Sequence, residues 1–245
     1  MSDTRWVPLE SNPDGFNRWA FKAGLIKTRY EFGDVYGLDD ELLNMIPQPV
    51  KAVILLFPLA DDFKKKQDAR YAEKLEKLGN GHIDPTVIWI KQTIGNACGT
   101  MAMLHALANS SVELEPNSAM AQFIDLCKSK TPLERAKLLE DTPLFKTIHA
   151  ETATTGQTAP PKDLHVDLHF TCFVEAPDAS VRTSASGESQ RRLIELDGSR
   201  DGPMDHGPVN NFLKDVAKVV QEDFMGSSES LEFNLMYLGP AAASG

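Results

Sequence analysis

From about Cys98 to Asn109 the chain carries apolar or small side chains all round, among them Met101, Ala102, Leu104, Leu107 and Ala108. At helical spacing such a segment has no face to offer water, so it must sit inside the fold. Elements to enclose it can be read on both sides. Ala52 to Phe57 is a continuous apolar run stopped by Pro58, the pattern of a strand covered on both faces. Val87 to Ile90 is a second short strand candidate. Leu164 to Val174 alternates, with Val166, Leu168, Phe170, Cys172 and Val174 on one face and His165, Asp167, His169 and Thr171 on the other. Leu193 to Leu196 reads as its partner, ended by Asp197-Gly198, and Leu231 to Leu238 reads as a closing strand.

Helices are predicted over Phe16 to Leu25, with Phe16, Trp19, Ala20 and Ala23 on one face, and over Asp61 to Leu78, exposed and closed by Gly79. Others run near Ser118 to Cys127, from the capping box Thr131-Pro132-Leu133-Glu134, and over Val209 to Phe224 with Phe212, Leu213, Val216 and Val220 inward. Thr142 to Lys162 has no convincing period and reads as a long loop, and Pro177 to Gln190 is a Ser/Arg/Gly stretch between two strands. Strands separated by groups of helices predict an α+β fold, a sheet between helical layers. Nothing resembling a linker divides the chain, so one domain is expected over 1–239, with a disordered tail over 240–245.

Composition narrows the function classes. A formal net charge of −10 disfavours nucleic acid, whose phosphates it repels. The longest apolar run, Ala52 to Phe57, is far too short to span a bilayer, and Met1-Ser2-Asp3-Thr4-Arg5 has no signal pattern. Cys98, Cys127 and Cys172 are an odd count without paired spacing, so no disulfide framework and no cysteine-rich zinc site is expected. Free thiols fit a reducing compartment. The expectation is a soluble cytoplasmic protein, with the nucleus as a further location, monomeric, without metal or cofactor.

Chemistry concentrates around Cys98, which follows Gly95-Asn96-Ala97 and opens the enclosed helix. There its sulfur lies near unsatisfied backbone N–H groups and the positive dipole end, which favour thiolate over thiol. Cys127 and Cys172 sit on apolar faces and read as small core hydrophobes. A nucleophilic thiolate needs an imidazole, and the imidazole needs an acceptor that fixes its tautomer. His169 is the best candidate and Asp197 can accept from its second nitrogen, but His165 and Asp167 share that strand face and spacing alone does not choose. Gln92, six positions before Cys98, can place an amide donor where an oxyanion develops.

The run Lys91-Gln92-Thr93-Ile94-Gly95-Asn96-Ala97-Cys98-Gly99-Thr100, with Val166-Asp167-Leu168-His169-Phe170 and Glu195-Leu196-Asp197-Gly198, resembles the ubiquitin C-terminal hydrolases, small papain-like cysteine peptidases. Arg5-Trp6-Val7-Pro8-Leu9-Glu10-Ser11-Asn12-Pro13, Asp34-Val35-Tyr36-Gly37 and Gly156-Gln157-Thr158 extend the likeness over nearly the whole chain. The resemblance implies Cys98 as nucleophile, His169 as acid and base, Asp197 as orienter, and Gln92 with the Cys98 N–H as oxyanion hole. It implies an α/β/α fold with a mostly antiparallel central sheet and a knotted backbone. Ubiquitin is the implied partner, with NEDD8 as a second candidate, its basic tail received by Glu10, Asp14 and Asp34. A loop from Glu151 through Gly156, Gln157 and Pro160 to Lys162 is implied to cross the cleft and to favour small or unfolded leaving groups. The alternatives are a papain-like hydrolase or acyltransferase acting on a small molecule, and a ubiquitin-binding protein without turnover. The chain departs from the family in placing His169 and Asp197 28 positions apart, a longer hairpin than is typical.

Overall fold

The computed structural model describes residues 5–59, 61–79, 82–156, 167–179, 190–227, 230 and 232–242. Six strands form one sheet: β1 (Tyr30–Asp34), β2 (Ala52–Pro58), β3 (Leu168–Pro177), β4 (Arg191–Leu196), β5 (Met204–Pro208) and β6 (Asn234–Pro240). Their order is β1-β6-β2-β3-β4-β5, and every neighbouring pair is antiparallel. The helices are α1 (Pro13–Ala23), α2 (Asp40–Asn44), α3 (Asp61–Leu78), α4 (Cys98–Asn109), α5 (Ala119–Cys127), α6 (Pro132–Glu140), α7 (Pro143–Ala153) and α8 (Phe212–Val219), the last widening into a π-type turn over Val220–Phe224.

The sheet separates two apolar cores, which is why β2 has no polar face. Ala52 and Ile54 point into the core built with α1, α4, α5, α6 and α7, while Val53, Leu55 and Phe57 point into the one closed by α8 and its π turn. The enclosed helix expected from its sequence is observed: Gly99 through Leu107 of α4 are all buried. In α1 the buried residues are Phe16, Trp19, Ala20 and Ala23, each at the spacing of one helical face. Asn12 caps its start and Pro13 occupies the first turn. Gly24 ends it at φ +121°, and a Cβ there would lie 2.2 Å from that of Ser118, so this exit admits only glycine. The Thr131–Glu134 capping box of α6 forms as expected.

Several expectations are corrected. Thr142 to Lys162 is not a loop throughout: α7 occupies Pro143–Ala153, and Glu151 lies in its last turn. The period was hidden because His149 and Thr152 share the buried face with Phe145 and Ile148. Ile88 to Ile90 are buried and Val87 partly so, but among the described residues this segment joins no strand. Asn109 accepts from the Ile88 N–H and donates to its carbonyl, and His105 accepts from the Ile90 N–H, so two side chains of α4 take the place of a neighbouring strand. The expected polar side of β3 is itself buried, with His169 and Thr171 beneath the second helical layer. Of the expected tail, Pro240 pairs with Tyr30, and the Ala241 and Ala242 N–H groups bond to the Arg29 carbonyl and the Glu31 carboxylate. Residues 243–245 of that tail, His165 and the middle of the 177–190 stretch lie outside the described residues.

Candidate active site

Cys98 is the first residue of α4. Its cap, Ala97, provides no side-chain hydrogen bond, and the first turn holds no acidic residue, so the helix mouth keeps its N–H groups and partial positive charge for the sulfur. Asn96 sets the approach at φ +59°, a left-handed conformation asparagine tolerates, and its amide donates to the Trp6 carbonyl at 3.1 Å. Trp6 N–H in turn donates to the Gly95 carbonyl at 2.9 Å, fastening the cysteine loop to the N-terminal segment.

His169, on β3, stands across from Phe57 of β2 and lies edge-on to that ring. Its Nε2 meets Asp197 Oδ1 at 2.8 Å, which leaves Nδ1 for the Cys98 thiol within hydrogen-bonding reach. Asp197 follows directly on β4, and its Oδ1 also accepts from the Ser199 N–H and hydroxyl, both at 2.8 Å. His169 is 6% and Asp197 3% exposed, whereas Cys98 is partly open to solvent. Asp167, the competing carboxylate, is exposed, and its backbone carbonyl accepts from the Leu59 N–H.

The electrostatics separate the three cysteines. Burial opposes a charge on Cys98, but the hydrogen bond and positive charge of His169 and the Phe170 N–H outweigh it and hold the thiol below its ordinary range. Burial pushes the Cys127 thiol up to about 11 and Cys172 higher still. Burial also disfavours a charged His169, yet the Asp197 carboxylate, by charge and hydrogen bond, and the Cys98 sulfur raise it well above the usual imidazole value. Burial alone would raise Asp197. The charge and hydrogen bond of His169, with Arg200 and Ser199, keep it ionised instead. His105 and His149, buried without a carboxylate partner, are pushed down to about 4 and stay neutral. Thiol, imidazole and carboxylate stand in sequence, with the shifts of Cys98 and His169 both in the direction that favours a thiolate beside an imidazolium, the chemistry that nucleophilic attack on a carbonyl requires.

Gln92 is tied to the aspartate turn by its N–H, which donates to the Gly198 carbonyl at 2.8 Å. A Cβ on Gly198 would lie 3.0 Å from that of Gln92 and 3.1 Å from the Ile90 carbonyl, so a side chain there would press the two segments apart by a few tenths of an ångström. The Gln92 amide donates to the Ile94 carbonyl at 3.1 Å, which fixes its plane and leaves a second N–H for another acceptor.

A pocket of about 350 Å³, lined by Cys98, Asn96, Leu9, Leu56, Leu168 and Phe170, opens beside the sulfur. Through Glu10, Ser11 and Asn234 it shares walls with a wider groove of about 830 Å³ that carries Asp34 and the exposed Tyr36. Glu10 and Asp34 therefore come together on one path to Cys98. Asp14 does not line it and is exposed in the first turn of α1. Glu151 lines neither cavity and forms an ion pair with Lys22. Gly156 packs against Glu10, where a Cβ would lie 2.5 Å from Oε2, while Gln157 and Pro160 lie outside the described residues. Among the described residues no group of three His, Cys, Asp or Glu side chains is placed to hold a metal, and no helix is long and apolar enough to cross a membrane.

Sequence reasoning missed two neighbours of Asp197 and one of the nearby Glu195. Ser199 and Arg200 were hidden in a turn. His206 sits on β5 with Nε2 at 2.9 Å from the buried Glu195 carboxylate. The usable signal was the Glu195 and Asp197 alternation, which puts both carboxylates on the same side of β4.

Comparison with known proteins gives the family of the chain and its fold. The family model described as ubiquitin carboxyl-terminal hydrolase, family 1, matches residues 6–225. Ubiquitin carboxyl-terminal hydrolase 3 of Arabidopsis thaliana is 39% identical over 239 residues, covering 96% of this chain and 94% of that protein. The ubiquitin carboxyl-terminal hydrolase of Aplysia californica is 36% identical over 226 residues, covering 90% and 95%. Among solved structures, the Trichinella spiralis UCH37 catalytic domain bound to ubiquitin vinyl methyl ester superposes with a TM-score of 0.70 over 98% of this chain and 97% of that one, at 20% identity. At that identity the likeness speaks for the shared α+β fold.

Proposed function

Given that the chain belongs to ubiquitin carboxyl-terminal hydrolase family 1, and so is a cysteine-type deubiquitinating enzyme, we propose that Cys98, His169, Asp197 and Gln92 are its catalytic set. The Cys98 thiolate attacks the carbonyl of ubiquitin's C-terminal glycine, and the oxyanion is met by the free Gln92 N–H and the Cys98 backbone N–H. His169 passes its proton to the leaving amine, alcohol or thiol, and a thioester to Cys98 remains. Water then attacks the thioester while His169 accepts its proton, and the thiolate is released. Asp197 keeps the ring in one tautomer throughout. The observation that carries this reading is the single line of contacts from Cys98 through His169 to Asp197.

The test is turnover of a ubiquitin C-terminal fluorogenic amide, with the NEDD8 amide in parallel. Ready hydrolysis of the ubiquitin amide is expected, and none of either would point to the small-molecule reading. The crossing loop that the family resemblance implies over 151–162 is the proposed limit on the size of the leaving group. A ubiquitin fusion with a short peptide is therefore expected to be cleaved readily and folded di-ubiquitin poorly. Inserting several Gly/Ser residues after Gly156 should raise di-ubiquitin cleavage without a comparable gain on the amide. Equal rates on both substrates in the unaltered enzyme would remove the size gate.

Glu10 and Asp34 give the groove two negative charges for the arginines of ubiquitin's tail. Asp34→Asn should raise KM by ~2–5-fold, as suits a partly exposed pair worth about 0.5–1 kcal/mol, with kcat little changed. The dependence of KM on salt should weaken in the same variant, and Asp14→Asn should do less. A KM indifferent to salt and to both substitutions would contradict this capture role. The three free thiols fit action in a reducing compartment, and a cytoplasmic monomer is the proposed form.

A further inference from the structure

Arg200 is a buried cation that the mechanism above does not use. Its side chain is only 8% exposed, and its guanidinium lies over the Tyr71 ring, 5.2 Å from the centroid. Nε stands 3.6 Å from Asp197 Oδ2, the carboxylate oxygen that His169 does not use, and Nη1 stands 3.5 Å from Asp68 Oδ1. Both distances exceed a good N–H···O bond, and the buried Nε has no hydrogen-bond partner. Other buried arginines here differ. Arg192 holds Asp205 at 2.6 and 2.8 Å and Asp178 at 3.1 Å, and Arg135 bonds the Cys127 and Trp89 carbonyls. Those two residues satisfy donors and tie elements together. Arg200 supplies charge at a short stand-off instead, and desolvating a guanidinium for so little hydrogen bonding is costly unless that charge is used.

The turn that carries it is held firmly. Lys91 Nζ donates to the Ser199 and Arg200 carbonyls at 3.1 and 2.6 Å, and the Arg200 N–H donates to the Asp197 carbonyl at 3.3 Å. Tyr71 and Asp68, both on α3, close over the guanidinium from the other side. The positive charge is thus fixed relative to Asp197 by the turn the two residues share and by α3, which carries no catalytic residue.

We propose that Arg200 is a positioning residue for the hydrolytic site, a fixed cation behind Asp197 that steadies its free oxygen and sets the pH window in which the Cys98–His169 pair is reactive. This rests on the catalytic reading of that pair. The charged and titratable groups around it are Asp68 and Tyr71 on α3, Cys98 and the neutral His105 on α4, His169 on β3, Glu195 on β4, and Asp201 in the turn, which pairs with Lys91. A nearby cation favours every proton loss from the pair, whichever group loses it first. Removing it must therefore move the acid and the alkaline limb of the profile to higher pH together.

The experiment measures two pH profiles: kcat/KM on the ubiquitin amide, and the rate of Cys98 alkylation by iodoacetamide, which needs no ubiquitin. Arg200→Met should shift both limbs upward by ~0.5–1 unit, the size expected of a unit charge several ångströms away at intermediate dielectric. Arg200→Lys, which keeps the charge, should stay close to the unaltered profile. Limbs that do not move in Arg200→Met while the rate falls would reduce Arg200 to packing and overturn the proposal, as would a shift in Arg200→Lys equal to that of Met. If Arg200→Met does not fold, Asp68→Asn decides. Asp68 is 62% exposed, and losing its charge leaves Arg200 less neutralised, so both limbs should move down; unmoved or rising limbs overturn the proposal. Failure of the catalytic reading is distinguishable, because Cys98 would then alkylate no faster than Cys127 in every variant.

Discussion

Cys98→Ala is expected to abolish hydrolysis of the ubiquitin amide, by on the order of 10⁴-fold or more, while ubiquitin affinity stays within a few-fold. No other group at the site can form the thioester, whereas the groove that carries Glu10 and Asp34 does not depend on the sulfur. The same residue should be the fastest thiol toward iodoacetamide at neutral pH, read by mass spectrometry of the alkylated peptides. Its pKa is lowered by His169, so reactivity should persist below the ordinary thiol range and fall only as acid protonates the thiolate. Cys127 and Cys172, whose thiols are raised by burial, should stay unmodified until the protein unfolds, and Ala at either should leave turnover largely intact. Faster modification of Cys127 than of Cys98 would sink the assignment.

Asp197→Asn should lower kcat by about 10²–10⁴-fold with little change in KM, because the amide keeps the shape of the carboxylate but not its charge. Oδ1 now accepts from His169 and twice from Ser199. An asparagine can keep the Ser199 bonds and still fail to favour the imidazolium. With the anion gone, each proton is lost more easily, so both limbs of the pH profile should move down, opposite to the shift expected for Arg200→Met. Asp167→Asn, at an exposed position before β3, should change kcat by less than about twofold. Equal losses at the two aspartates would mean that the wrong orienter has been chosen.

Much of the fold was legible because its signals are local. The buried face of α1, the cap of α6, the enclosure of α4 and the two-sided burial of β2 each depend on residues within a few positions of one another. Local reading failed where distant groups decide. The α7 helix buries His149, which is tolerable only because Thr100 and the Val7 carbonyl bond its two nitrogens from elsewhere in the chain. The 87–90 segment looks like a strand, yet side chains of α4 take its hydrogen bonds. β1 and β5 carry weak patterns of their own and exist because β6 and β4 offer them an edge.

The sequence by itself determined that Cys98 opens a helix that must be buried, and hence that one thiol sits at a positive helix end while two sit in apolar surroundings. Its likeness to a family named the partners of that thiol, but periodicity alone left His165, His169, Asp167 and Asp197 open. Only the tertiary structure decided how those groups meet. The β2–β3 register sets His169 across from Phe57, and the β3–β4 pairing brings Asp197 to its ring. The turn after β4 folds Arg200 back against the Tyr71 ring. A charge's effect depends on the dielectric and the distance between groups far apart in sequence, and no spacing along the chain encodes either until strands pair and helices cover them.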